Sequence, residues 1–193
     1  MHSSYNVETT GVELTAAYAN VIENKTVLTT GVSPNGLGAH FVQTIAKGKP
    51  SLLIIAGRSI EKLQSSLEII TKQCGNINIR LLQLDLGSFS TVRKAADEVL
   101  SWSDVPVIDV LVNNAGIMAV PFKLSPDGYE SQFASNHLGH FLFTNLIMPK
   151  ILAAPAPRVV SVSSSGHTWS YIRFADINFD VSFAPYWPEF PPC

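Results

Sequence analysis

Apolar residues recur along this chain in two ways, and the change from one to the other divides it into elements. Short, nearly continuous apolar runs occur at residues 25–30, 51–56, 78–84, 108–112 and 158–163. Such runs suit strands buried on both faces of a sheet. Between them the apolar residues stand three and four apart. Residues 36–47 carry Leu37, Phe41 and Ile45 on one face, 60–74 carry Ile60, Leu63, Leu67 and Ile70, and 88–100 carry Phe89, Val92, Ala96 and Val99. That spacing predicts amphipathic helices. A short helix is predicted over 12–21 with Thr10 as its cap, and one long helix over 127–152. Strands that alternate with helices indicate an α/β domain with a parallel sheet, doubly wound in three α/β/α layers, with five strands present.

The pattern stops near residue 170. From there Phe174, Phe179, Phe183, Tyr186 and Trp187 mix with prolines 185, 188, 191 and 192, and no period follows. The chain therefore divides into an N-terminal extension (1–24), an α/β domain (25–169) and an irregular tail (170–193). Val181-Ser182 can be encoded by GTGAGT, the usual start of a eukaryotic intron. Residues 181–193 thus read as translated intron, with a genuine splice form or a degraded gene copy as the alternatives.

Composition narrows the function. The 193 residues are 46% hydrophobic and 15% charged, which argues against a disordered chain. The net charge of -2, without a basic cluster, argues against a nucleic-acid surface. Cys74 and Cys193 make neither a disulfide framework nor a metal spacing. Met1-His2-Ser3-Ser4-Tyr5 has no basic segment followed by an apolar core, and the longest apolar stretches are broken before they span a bilayer. The expectation is a cytoplasmic protein without a membrane partner.

Candidate chemistry sits at the ends of the predicted strands. Gly31 to Gly38 joins a strand to a helix through glycines. A dinucleotide pyrophosphate needs that close backbone approach, and the helix dipole favours the anion. Four residues, Val32 to Asn35, separate Gly31 from Gly36, and Pro34 among them predicts a longer loop that still binds phosphate. After the second strand, Arg58 stands where an acidic residue would accept the ribose hydroxyls of NAD. Its guanidinium suits the 2′-phosphate of NADP. Asp85-Leu86 ends the third strand, where Asp85 is also placed to cap the helix near Ser88. Asn113-Asn114-Ala115-Gly116 ends the fourth. Asn136 shares a predicted face with Phe133, His140 and Phe143, and so is expected to point inward, where its plainest role is a satisfied core amide. His137 and His140 read as packing or surface histidines. Ser163-Ser164-Ser165 follows the fifth strand without the Gly-x-Ser-x-Gly elbow of a serine hydrolase.

Taken together, Thr30-Gly31 with Gly36 and Gly38, the NNAG tetrapeptide, Asn136 and the serine run resemble the short-chain dehydrogenase/reductase family over roughly residues 25–180. The resemblance implies a Rossmann-type sheet and hydride transfer between a nicotinamide cofactor, NADP rather than NAD, and a small carbonyl or alcohol. It implies cofactor contacts from Gly31, Ser33, Asn35, Gly36, Leu37, Gly38, Arg58, Asp85, Leu86, Asn113, Ala115 and Gly116. Asp85 and the Leu86 backbone would meet the adenine edge, and Ala115 and Gly116 would leave room for the nicotinamide ribose. Ser164 would hydrogen-bond the substrate carbonyl, with Ser163 and Ser165 within one step of register, and Asn136 would hold a water in the proton relay. The family also uses a Tyr with a Lys four residues later. Here Tyr171 is followed at that distance by Ala175, Tyr186 by Phe190, and no Lys follows Lys150. The alternative is therefore a non-catalytic NADP-binding remnant or a gene-model fragment without function. The segment lacking here would supply two further strands and most of the substrate pocket, leaving residues 158–163 as an apolar sheet edge. Family dimers often pair the long helix with a helix this chain does not contain.

Overall fold

Valine, leucine and isoleucine fill five parallel strands: β1 (Thr26–Thr30), β2 (Leu52–Gly57), β3 (Ile79–Gln83), β4 (Val110–Asn113) and β5 (Arg158–Ser161). They form one sheet in the order β3-β2-β1-β4-β5. The computed structural model describes residues 5–75, 77–168 and 171–180. The tail's expected start at residue 170, and residues 181–193, lie outside them.

Register follows the burial pattern. Val27 pairs with Leu53 and Val110, and Leu28 with Ile54 and Leu111. At the opposite end of β1 from the glycine turn, the Asp109 carboxylate accepts from Lys25 Nζ at 2.9 Å and from the Thr26 amide at 3.0 Å, which pins β1 to β4.

Helices cover both faces. On one, α3 (Leu37–Ala46) and α4 (Ile60–Cys74) bury Val42, Ile45, Leu63 and Ile70 against Val27, Leu53, Ile55 and Val112. On the other, α5 (Phe89–Ser101) and α7 (Gly139–Leu146) bury Val92, Ala96, Val99 and Phe143 against Leu28, Ile54, Leu82 and Leu111. β1, β2 and β4 thus send alternate side chains into separate cores, which is why their runs read as apolar on both faces. This is the expected Rossmann-type three-layer sheet.

Several boundaries differ from expectation. The N-terminal helix divides into α1 (Gly11–Ala17) and α2 (Ala19–Ile22) at Tyr18. Its start is as expected: Thr10 and Glu13 form a reciprocal capping box. The long helix over 127–152 breaks into α6 (Ser131–Phe133), a π-helical turn (Ala134–Leu138), α7 and α8 (Met148–Leu152). It starts late because Gly128 takes a left-handed φ of 82°, and Glu130 then caps α6 through the amides of Gln132 and Phe133. β5 stops at Ser161. Its four residues are exposed, and among the described residues β4 is its one neighbour.

Candidate functional site

The loops leaving β1 to β4 enclose a cleft of about 400 Å³. It opens where strand order reverses: β2 flanks β1 on one side and β4 on the other. Loops leaving neighbouring strands diverge at such a point and leave a crevice.

Gly31 forms the root of the cleft. Its φ is 72°, and a Cβ there would stand 2.5 Å from Ala115 Cα, so both the turn and the approach to β4 require glycine. Asn35 takes the left-handed φ of 62° within the inserted stretch, and the Gly36 amide closes the turn on the Ser33 carbonyl at 3.0 Å. Gly36 then caps α3 with no side-chain bond to the first-turn amides and no acidic residue beside them. Those amides and the helix dipole suit an anion.

Leu37 is 80% exposed and lines the cleft, so the predicted inward face of α3 is corrected. Packing of Ala39, Val42, Ile45 and Ala46 sets the helix phase, and Leu37 in the first turn is left at the cleft wall.

At the end of β2, Arg58 and Lys62 both line the cleft. The Ser59 hydroxyl caps α4 by accepting from the Lys62 amide at 3.2 Å, and it donates to Glu61 at 2.6 Å. That hydroxyl holds the Glu61 carboxyl below its ordinary pKa. Lys62 is a site residue the sequence reading missed. Its signal was its place in the first turn of the helix that follows Arg58.

Asp85 and Leu86 also line the cleft. The Asp85 carboxylate accepts from the Gly87 amide at 3.0 Å. The amide that opens α5, on Phe89, is instead capped by Asp127 at 2.8 Å, so the cap expected from Asp85 comes from a loop 38 positions further on.

β4 closes the far wall. The Thr30 hydroxyl oxygen accepts from the amides of Asn114 and Ala115, each at 3.0 Å, and the Asn114 side chain donates to the Thr30 carbonyl at 2.8 Å. Thr30 and Asn114 were missed as site residues, although each neighbours a motif glycine or asparagine. Asn113 does not line the cleft. It is buried behind it, where its amide donates to Thr144 of α7 at 3.0 Å. Alternation along β4 puts Asn113 and Asn114 on opposite sides.

Asn136 is exposed rather than inward-facing. Its side chain accepts from the Ile117 amide and donates to the Ile117 carbonyl, both at 2.8 Å. The π turn supplies the reason, because its wider winding breaks the 3.6-residue phase on which the inward reading rested. His140 remains buried, and His137 stacks between Phe133 and Phe141 on the outer face.

Of the expected residues, the cleft brings together Gly31, Ser33, Gly36, Leu37, Arg58, Asp85, Leu86, Ala115 and Gly116. Asn35, Gly38, Asn113, Asn136 and Ser164 are not in its lining. Gly38 packs behind it, against Asn114 and the Gly31 carbonyl. Ser164 lies past β5, exposed, where its hydroxyl accepts from the Gly166 amide at 3.1 Å and its carbonyl from the His167 amide at 3.2 Å. Among the described residues there is no cluster of His, Cys, Asp and Glu placed for a metal, and no helix long and apolar enough to cross a membrane.

Comparison with known proteins agrees with this geometry. The profile of the family described as short chain dehydrogenase matches residues 25–175. Oxidoreductase fscI of Fusarium equiseti is 37% identical over 86% of this chain and 66% of its own length. Human retinol dehydrogenase 13 is 35% identical over 83% of this chain and 47% of its own. Short-chain dehydrogenase TIC 32 A, chloroplastic, of Brassica napus is 41% identical over 79% and 48%. The chain thus spans about half to two thirds of these relatives. A crystal structure from Mycobacterium paratuberculosis superposes with a TM-score of 0.67 at 35% identity, covering 83% of this chain and 53% of that one. A protein of Escherichia coli CFT073 complexed with NADPH superposes at 0.64 and 23% identity, covering 76% and 61%, which is a likeness of fold.

Proposed function

The chain belongs to the short chain dehydrogenase family, and we propose that it binds NADP in the cleft above Gly31, for hydride transfer between that cofactor and a small carbonyl or alcohol. The observation that carries NADP over NAD is the pair of cations, Arg58 and Lys62, lining the cleft beyond β2. A guanidinium and an ammonium together suit a phosphate on the adenosine ribose. The structurally similar Escherichia coli protein, complexed with NADPH, supports a nicotinamide cofactor for this fold.

The remaining lining fits the rest of the cofactor. The glycine turn with Ser33 and the open amides of α3 suit the pyrophosphate, Asp85 with the Leu86 backbone suits the adenine edge, and Ala115 and Gly116 leave space at the nicotinamide end. When bound, the cofactor supplies a hydride donor or acceptor. On the family pattern Ser164 would orient the substrate oxygen by donating its hydroxyl hydrogen, and Asn136, whose side chain holds Ile117, would serve the water of the proton relay. Cytoplasmic residence belongs to the same proposal and rests on a sequence whose two cysteines make no disulfide framework.

A second reading, cofactor binding without efficient turnover, is favoured by one specific observation. Tyr171 has Ala175 and Tyr186 has Phe190, not Lys, four residues on, so no Tyr paired with such a Lys follows Ser164 in these 193 residues. General acid–base catalysis contributes roughly 100- to 10,000-fold, and turnover without it falls by about that factor. NADPH fluorescence titration followed by assay against aldehydes and ketones separates the readings. Binding with turnover supports the first, binding alone the second, and failure to bind overturns both.

A further inference from the structure

The Thr30 hydroxyl is asked to make three hydrogen bonds at once. Its oxygen already accepts from the Asn114 and Ala115 amides, and 3.0 Å away stands Nε2 of His140, 110 positions along the chain and buried in α7. The other ring nitrogen, Nδ1, lies 3.3 Å from the Asn136 carbonyl. A carbonyl can only accept, so Nδ1 carries the hydrogen. In a neutral ring Nε2 is then bare and takes the Thr30 hydroxyl hydrogen. Every group is satisfied by this one arrangement. The competing acceptor, the Val112 carbonyl, is more distant, at 3.5 Å. A ring protonated on both nitrogens would offer Thr30 a third donor where its oxygen has two lone pairs.

The two groups joined by His140 hold the two ends of one segment. Thr30 holds the amides of Asn114 and Ala115, and Asn136 holds both backbone groups of Ile117. Asn114 to Ile117 form the wall of the cleft opposite Arg58.

We infer that His140, as the neutral Nδ1–H tautomer, is a positioning residue that sets this wall for the cofactor by tying Thr30 to Asn136. The inference deepens the cofactor reading and rests on it. His140 does not line the cleft and acts through Thr30 and Asn136.

The test combines NMR with cofactor titration on the full 193-residue chain. Long-range ¹H–¹⁵N spectra of the free protein report the tautomer of His140, and amide exchange reports the protection of Ala115. Nδ1–H with a bare Nε2 is expected, and the opposite tautomer overturns the inference. His140→Gln keeps an acceptor near the Nε2 position, whereas His140→Asn reaches only as far as Nδ1. H140Q is therefore expected to retain Ala115 protection and NADPH affinity within about threefold of the parent, while H140N loses protection and about tenfold in affinity. Equal affinities and equal protection in the two folded variants overturn the inference. Should H140N not fold, the tautomer and the H140Q titration still decide it. Should the parent chain bind no NADPH, the cofactor reading falls, and the tautomer and exchange data then decide the Thr30–His140–Asn136 connection separately.

Discussion

Asn136 grips Ile117 by both of its backbone groups, at 2.8 Å each, across 19 positions of chain. A residue expected in the core thus works as a clamp on the rim of the cleft. It fixes the backbone immediately after the Asn-Asn-Ala-Gly turn, and two residues on the Ala119 amide donates to the Gln132 side chain at 3.1 Å.

Replacing Asn136 with Ala removes both bonds from a partly solvated site. The expected cost is about 1 kcal/mol in unfolding free energy, with faster amide exchange at Ile117 and weaker NADPH binding. Exchange at Ile117 that matches the parent chain would show that the clamp is not needed to hold the wall.

Arg58→Ala removes the guanidinium assigned to the 2′-phosphate. A charge-assisted bond contributes about 1.5–3 kcal/mol, so NADPH affinity is expected to fall by roughly 10- to 100-fold while NADH affinity stays unchanged. Parallel fluorescence titrations with the two cofactors check this. An equal loss for both assigns Arg58 to some other role.

Gly31→Ala puts a methyl group where a Cβ meets Ala115 Cα at 2.5 Å and where φ is 72°. The left-handed backbone costs about 1–2 kcal/mol and the overlap about 1–3 more. Urea unfolding is expected to show a loss of at least about 2 kcal/mol, with cofactor binding abolished. A variant as stable as the parent chain contradicts the close approach of β1 to β4.

The pH dependence follows from His140. Burial lowers its pKa below the ordinary 6.5, and a charged His137 adds to this, while the hydrogen bond to the Asn136 carbonyl opposes it. The partners of its ring, Thr30 and the Asn136 carbonyl, are uncharged. The unfolded chain takes up this proton near the ordinary value and the folded chain only at lower pH. The contribution to stability is therefore complete above about pH 6.5 and is lost as the pH falls from there through the folded pKa. Urea midpoints of the parent chain are expected to drop more steeply than those of H140Q between pH 7 and pH 5. Parallel curves would remove His140 as the cause.

Asp127→Ala uncaps α5 from outside its own sequence neighbourhood, since Asp127 supplies the acceptor for the Phe89 amide. The expected loss is about 1 kcal/mol, measured by thermal or urea unfolding. The same loss from Asp85→Ala, with none from Asp127→Ala, would return the cap to Asp85.

The layers of the fold were legible in the chain because burial imposes a period. Strands such as Leu52–Gly57 are apolar throughout because each has a core on both faces, and Val92, Ala96 and Val99 recur at helical spacing because one face of α5 meets the sheet. Gly31 and Gly36 were legible as well, since a strand entering a helix through glycines is a local shape with few alternatives. Periodicity carried as far as each element stayed regular. It failed at Asn136, where a π turn changed the phase, and at Leu37, where the first turn of a helix lies at the cleft rather than over the core.

The sequence by itself determined the alternation of strands and helices, the sign of the charge at Arg58 and the chemistry available at each strand end. Those are properties of single residues and of neighbours along the chain. The tertiary structure alone decided that Lys62 joins Arg58, that Asp127 rather than Asp85 caps α5, and that His140 stands between Thr30 and Asn136. Thr30 meets its Asn114 partner across 84 positions and His140 across 110. A hydrogen bond acts over about 3 Å, whereas the loops between its partners place no such limit on their separation in sequence. Only the packing of β1 against β4 and of α7 beneath them brings the partners within that range.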